Sequence, residues 1–375
     1  MALVKRALVI GGGFSGMTAA LRLDALGIAV DLVEIDAAWR SYGAGISLNG
    51  ATLRVIRQLG LLEAFLAAGA ATDGVHMRAP DDTVVAEIPT PRVAGPDVPG
   101  SAGIMRPALA RVLSDAVRKT AVRVRLGQTF TDITDGPDQA CVSFSDGSSD
   151  SYDLVIGADG VYSATRGRIF PEAPAPRFVG QSVWRAVVPR PAPIQTVTMW
   201  MGPKLKAGLN LVGPELAYLF LTEDRATNDY LAPETHLATL KALLGQFGSP
   251  ILRQIGTDLT EANQIVYRPL ESLLLPRPWY RGRIVLIGDA VHSTTPHLAS
   301  GACIGVEDAV VLAEEIARAQ SLPQALDAFQ DRRWERCRMV VENSARLAEI
   351  EISGGDPTEH AALMKQSMIG LAQPI

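Results

Sequence analysis

Three short segments carry residue types suited to holding phosphates, hydroxyls and a flat ring. The first is Gly11-Gly12-Gly13-Phe14-Ser15-Gly16. Gly11 permits a tight turn, Gly13 lets the backbone approach a pyrophosphate, and Gly16 lets a helix pack on a strand. The amides at the start of that helix, around Phe14 and Ser15, offer free N–H groups and a partial positive charge to phosphate. Glu34 lies 18 residues after Gly16, where an acid accepts from ribose hydroxyls and repels a 2′-phosphate. The second segment is Asp159-Gly160, with Ser163 and Arg166 just beyond it to cap and pin the following turn. The third is Gly288-Asp289, running through His292 to Pro296 and on to Gly301-Ala302. Asp289 can accept from sugar hydroxyls, and amides at the next helix start can face a negatively charged ring edge. Any one segment has a structural alternative, an ordinary turn. Together, in this order, they fit different parts of one long dinucleotide, FAD.

The flanking residues must place these groups. Ala7–Ile10 is a continuous apolar run, the signature of a parallel strand covered on both faces. Helical spacing follows from Met17 to Leu26, then a second apolar strand, Val30–Val33, ends at Glu34. Asn49–Leu59 and the stretch opened by Arg106-Pro107 read as helices. Thr90–Gly103, rich in proline and glycine, reads as a loop. Val122–Leu126, Ala140–Phe144 and Tyr152–Ile156 read as strands. From Arg177 to Thr222 the pattern alternates between turn residues, as antiparallel strands do. Thr235–Phe247 reads as a helix. The first style then returns, with a strand at Arg283–Ile287, a helix from about Gly305 to Ala317 and a long helix over about Leu322–Glu351.

The expected fold is α/β, a Rossmann-like FAD-binding domain with an inserted, mostly antiparallel substrate domain and a long C-terminal helix. The expected division gives 1–72, 98–176 and 268–375 to the FAD-binding domain, and 73–97 with 177–267 to the substrate domain.

Composition narrows the partners. The 375 residues carry a net charge of -5; nucleic acids and anionic membranes attract basic surfaces, so neither is expected. The arginines from Arg332 to Arg338 are interleaved with acids, as on a solvated helix face. No apolar window approaches a membrane span and the N-terminus lacks a signal-peptide pattern, so the chain is expected in the cytoplasm. Cys141, Cys303 and Cys337 form no CxxC, so no metal site and no disulfide framework are expected.

The three motifs resemble those of the single-component FAD aromatic hydroxylases, the para-hydroxybenzoate hydroxylase-like group A flavoprotein monooxygenases, and the resemblance covers almost the whole chain. Gly45-Ile46 lies in a segment, Gly43–Leu48, like the one that passes beside the flavin in that family. Arg106 resembles its arginine near the FAD pyrophosphate, and Trp279–Asp289 and Glu307-Asp308-Ala309 resemble the strand and helix around its third motif. The resemblance implies noncovalent FAD, reduction by NADH or NADPH, and reaction with O2 to a C4a-hydroperoxide that hydroxylates an electron-rich aromatic ring; the apolar, sparsely charged candidates of the substrate lobe favour a phenol- or hydroxypyridine-like small molecule. It implies for Asp159 a part in the nicotinamide encounter. The chain departs from the family at His297-Leu298-Ala299-Ser300-Gly301, where many relatives have a Gly-Gln-Gly type of loop.

That departure makes His297 a candidate to deprotonate or hydrogen-bond a substrate; the alternative is a loop histidine facing water. Pro296 is expected beside the flavin. On the antiparallel strands, Arg185 is a candidate catalytic residue, and Leu48, Met199, Asn210 and Tyr218, with Leu209, Leu211 and Met201, are candidates to line an aromatic pocket. Their strand register decides which face the cavity. Other readings are a flavin oxidoreductase without oxygen insertion, a flavin-dependent halogenase, and an FAD-binding regulator whose partner surface lies after Gly354. Monomer and homodimer are both open.

Overall fold

A computed structural model of the protein describes residues 3–375. Its centre is a six-stranded sheet in the spatial order 280–281, 284–286, 154–157, 6–10, 29–34, 123–126. All neighbours are parallel except the short edge pair 280–281 and 284–286. The apolar runs of these strands follow from burial on both faces: Leu8, Val9, Leu32, Val155 and Val285 are fully covered. Ile10 pairs with both Val33 and Gly157, and Gly157 pairs with Leu286. The three glycine motifs therefore leave adjacent strands at one carboxyl edge, where open α/β sheets bind ligands.

A second sheet has seven strands in the order 266–272, 177–189, 216–224, 205–211, 197–201, 75–78, 84–88. It is antiparallel but for the pairing of 197–201 with 75–78. Its period-two pattern gives it two faces. Trp184, Trp200, Leu209, Leu219 and Leu221 form one core with helices His236–Leu244 and Pro250–Asp258. Arg185, Met199, Met201, Tyr218 and Phe220 point the other way, into a cavity. A small sheet, 45–49, 101–105 and 69–72, joins the two large ones. The approach is close enough to demand glycine: a Cβ on Gly45 would lie 2.5 Å from Tyr218 Cβ, and one on Gly103 would lie 2.2 Å from the Leu211 carbonyl. A three-stranded antiparallel sheet, 130–134, 140–144 and 149–152, flanks the central one.

Several expectations change. The segment read as a loop, Thr90–Gly103, ends in the strand Ser101–Met105. Tyr152–Ile156 is two strands broken at Asp153, whose carboxylate accepts from the Lys5 and Arg6 amides at 2.8 and 2.9 Å. Thr235–Phe247 is shorter as a helix, His236–Leu244, and the helix expected from Gly305 begins at Gly301. Additional helices are present; the shorter are Leu62–Ala68, Ala164–Ile169 and Asp289–His292, and the longer are Pro250–Asp258 and Pro357–Ala372. The latter packs against the 32-residue helix Leu322–Ser353. Among the described residues no helix is long and apolar enough to cross a membrane.

Candidate active site

One cavity of about 1940 Å³ lies between the carboxyl edge of the parallel sheet and the open face of the seven-stranded sheet. The glycine loop forms one end. Gly11 has φ of 104°, and a Cβ there would lie 2.4 Å from the Ala158 carbonyl oxygen. A Cβ on Gly16 would lie 1.9 Å from the Gly11 carbonyl oxygen, so this glycine lets the helix Phe14–Asp24 seat on its strand. Gly13 has open space beside it, and no side chain caps the helix it begins. Gly13, Phe14 and Ser15 all border the cavity. Glu34 stands beside the glycine loop. Its carboxylate braces the loop from behind, accepting from the Gly12 amide at 2.7 Å and the Asp36 amide at 2.8 Å, and it does not border the cavity.

The second motif also turns inward. The Asp159 carboxylate accepts from the Thr165 amide and hydroxyl, both at 2.9 Å, and from the Ser163 hydroxyl. These bonds fix the turn that carries the motif. Gly160, with φ of 82° and open space beside it, presents backbone to the cavity instead. Buried Arg166 donates to the Val161 and Ala290 carbonyls, each at 2.9 Å, and so ties this motif to the third.

The third motif rests on a buried ionic network that sequence reading missed. Gly288 has φ of 62° and packs on Ser15, where a Cβ would lie 2.6 Å from the hydroxyl. Its amide donates to Asp308 Oδ2 at 2.9 Å, and His292 Nε2 lies 2.6 Å from the same oxygen. Arg333 Nε donates to Asp308 Oδ1 at 2.8 Å, and its Nη2 lies 3.1 Å from Glu307. These side chains are fully buried. Burial opposes charge on His292, but the Asp308 carboxylate outweighs it and holds the imidazole well above its ordinary 6.5. Burial likewise opposes charge on Asp308, and His292 and Arg333 keep its pKa low. Cys337 also joins this network, with its sulfur 3.8 Å from Asp308. The available signals were the Glu307-Asp308 pair and the run of arginines from Arg332 to Arg338. The reading of these arginines as a solvated face is corrected for Arg333, which is buried, and for Arg336, which clasps Glu307 with two bonds of 2.7 Å.

Supported in this way, Asp289 opens onto the cavity. Its exposure is to that enclosed space and not to bulk solvent. Burial pushes its carboxyl pKa up, while His292 and Arg106 pull it down. Arg106 lies 5.9 Å from the Phe14 ring centroid, its own pKa lowered by burial and by the nearby Arg185 guanidinium. Pro296, Gly301 and Ala302 border the same space. The helix Gly301–Arg318 starts there without a side-chain cap, leaving its first amides free.

His297 borders the cavity, as expected of a pocket residue. Its side chain is 1% exposed. Nδ1 lies 2.8 Å from the Thr295 hydroxyl, and Nε2 lies 3.0 Å from Gln181 Oε1 and 3.3 Å from Glu351. Both ring nitrogens are engaged within the protein, and burial with the Lys206 charge lowers the pKa. The imidazole fastens the loop at the cavity wall and is not a side chain facing bulk water. Asn210 is also a tie, 1% exposed, donating to Ser47 Oγ at 2.9 Å and the Ala102 carbonyl at 3.1 Å. Leu48 borders the cavity from within the core, and Leu209 and Leu211 are turned into the helix-covered core. Arg185, Met199 and Tyr218, the candidates on the antiparallel strands, line the cavity, and so does Ile46, expected there from the family resemblance. Arg185 Nε donates to the Tyr218 hydroxyl at 2.8 Å. Trp184, next in sequence to Arg185, points to the opposite core, with its indole N–H on Glu223 at 2.8 Å.

The family model described as FAD binding domain matches residues 5–344. The chain belongs to this family. It is 31% identical over 350 residues to the aurachin C monooxygenase/isomerase of Stigmatella aurantiaca, covering 92% of this chain and 88% of that one. It is 30% identical over 344 residues to the 2-heptyl-3-hydroxy-4(1H)-quinolone synthase of Pseudomonas aeruginosa, covering 90% and 87%. To the FAD-dependent urate hydroxylase of Klebsiella pneumoniae it is 28% identical over 361 residues, covering 92% and 90%. Among solved structures, a Klebsiella pneumoniae HpxO variant complexed with FAD superimposes with a TM-score of 0.84 at 25% identity, over 99% of this chain and 95% of that one. The cradle suits FAD on its own geometry. Open backbone at Gly13 and Gly160, two uncapped helix starts and a carboxylate at Asp289 face one space.

Proposed function

We propose that this protein is an FAD-dependent monooxygenase that uses NADH or NADPH and O2 to hydroxylate an aromatic or N-heteroaromatic small molecule. The observation that carries the reading is the Arg185–Tyr218 pair among the apolar side chains of Val183, Met199 and Phe220, across one cavity from the FAD cradle. Bound FAD supplies the hydride acceptance and oxygen chemistry, and the protein binds, orients and excludes water.

Each residue has a separable task in this proposal. Gly13, Phe14, Ser15 and Gly160 present backbone to the pyrophosphate. Asp289 accepts from hydroxyls of the chain between phosphate and ring, and Arg106 offsets the phosphate charge. The helix starting at Gly301 directs its positive end at the ring edge that becomes anionic. Met199, Tyr218 and Phe220 hold the substrate ring by contact. The Tyr218 oxygen accepts from Arg185, so its own proton is free to go to a substrate oxygen, while the guanidinium favours the ionised form of that oxygen. No separate base is then required. The two lobes are divided in this reading at residues 72/73, 97/98, 176/177 and 267/268, and the enzyme works in the cytoplasm, where both nucleotides are supplied.

The test is NADH and NADPH oxidation by the FAD-loaded protein with a panel of phenols, hydroxypyridines and quinolones under 18O2. The expected result is ring-stimulated oxidation with one labelled oxygen in the product. Turnover of a ring with no label incorporated would replace the monooxygenase by the oxidoreductase without oxygen insertion.

A further inference from the structure

The cavity continues well beyond the Arg185–Tyr218 pair. It runs along the strands 197–201, 75–78 and 84–88 and beneath the helix Pro357–Ala372. Pockets for drug-sized ligands are about 300–1000 Å³, so setting the upper figure aside for FAD leaves on the order of 900 Å³ of the 1940 Å³. A single ring needs only roughly a third of that.

The walls of this extension are mainly apolar and adaptable, although Lys204, Lys206, His360 and Lys365 also line the cavity. Met77, Met199 and Met201 come from the sheet, and Ala361, Met364 and Met368 from the helix. The helical residues lie at i, i+3 and i+7, on one stripe. The other side of the helix is already used: Leu371 and Ser367 are buried, and Asn343 of the long helix donates to Ser367 Oγ at 2.9 Å. The helix therefore turns a second, partly apolar side to the cavity, where His360 and Lys365 accompany the methionines. Unbranched methionines conform to variable apolar ligands. At the rim, Arg78 is occupied by Asp82, with two contacts of 3.1 Å, and Val85 and Ile88 on the edge strand are exposed.

We infer that the substrate ring bears an apolar alkyl or alkenyl tail, which this methionine-lined extension houses. The inference rests on the monooxygenase reading for the ring end, and it adds the chemical class of the remainder. The extension is continuous with the ring chamber, so the occupant is part of the same molecule and not a separate partner.

The experiment is calorimetric titration of the FAD-loaded protein with 4-alkylphenols and 2-alkyl-4-quinolones whose tails run from methyl to nonyl, beside turnover of the same series. Burying a methylene is worth about 0.8 kcal/mol, so Kd is expected to fall about fourfold per added methylene and then level off. In Ala361→Trp, an exposed helix position on the cavity face, the gain is expected to level off at a shorter tail. A Kd independent of tail length, or a length dependence that Ala361→Trp leaves unaltered, overturns the inference. Tail-dependent binding without hydroxylated product would keep the tail site and refute the monooxygenase reading. Hydroxylation of tailless rings without a tail effect would do the reverse.

Discussion

Replacing Asp308 by alanine isolates the network beneath the third motif. The substitution removes a fully buried carboxylate that contacts His292 at 2.6 Å, Arg333 at 2.8 Å and the Gly288 amide at 2.9 Å. Breaking a buried pair by deleting one partner costs about 3–5 kcal/mol. Arg333 keeps Glu307, which places the expected loss toward the lower end. At about 2 °C per kcal/mol for a large domain, melting is expected to fall by roughly 6–10 °C. The effect reaches the cofactor because the same carboxylate anchors the turn that presents Asp289. Losing one hydrogen bond made by a charged group costs about 1.5–3 kcal/mol, or roughly ten- to a hundredfold in the Kd for FAD. Asp308→Asn, which retains an acceptor for Gly288, is expected to fall between wild type and Asp308→Ala in both readouts. The assays are thermal melts of the FAD-free protein and flavin fluorescence titration. Melting within about 2 °C of wild type would refute the energetic argument, and a lowered melting point with unchanged Kd would refute the link between the network and the flavin turn.

The same network predicts a pH signature. His292 has a raised folded pKa, so its stabilisation is whole below its ordinary 6.5 and is lost as pH rises through the higher value. Asp308 has a lowered one, so its stabilisation is whole above 3.8 and is lost as pH falls through the lower value. Melting of Asp308→Ala relative to wild type should therefore differ most between these two values, and a difference that grows steadily above pH 7 would contradict the pairing. Gly16→Ala should be isolated without flavin colour, since its Cβ would lie 1.9 Å from the Gly11 carbonyl oxygen; stoichiometric FAD in that variant would show the loop can give. His297→Gln should leave the pH profile of turnover in place, because the imidazole is enclosed and its pKa is lowered. Loss of an ionisation from the profile, at unchanged FAD affinity, would restore the base role.

What could be read in the chain was what depends on neighbours in sequence. Glycines at 11, 13 and 16 are required by backbone sterics within one strand–turn–helix unit, and the apolar runs beside the three motifs report burial on both faces of a parallel sheet. Alternation on 177–222 likewise reported a two-faced sheet. It left Trp184 and Arg185 undecided, because a one-residue slip in register exchanges the faces. The helix Pro357–Ala372 gave a poor signal because both its faces are partly apolar, one for the long helix and one for the cavity.

The sequence by itself determined the cofactor class, the parallel sheet and the edge from which the motifs project, since local sterics and periodicity specify those. Only the tertiary structure decided what each polar side chain holds. Glu34 and Asp159 turn back to brace their own loops. His297 is taken up by Gln181 and Glu351, 116 and 54 residues away in sequence, and Asp308 meets Arg333 across two helices. A buried polar group goes to whatever partner the packed chain brings within about 3 Å, and those partners are distant in sequence. The capacity of the cavity was settled in the same way, by two sheets and a terminal helix meeting around a space that none of them encloses alone.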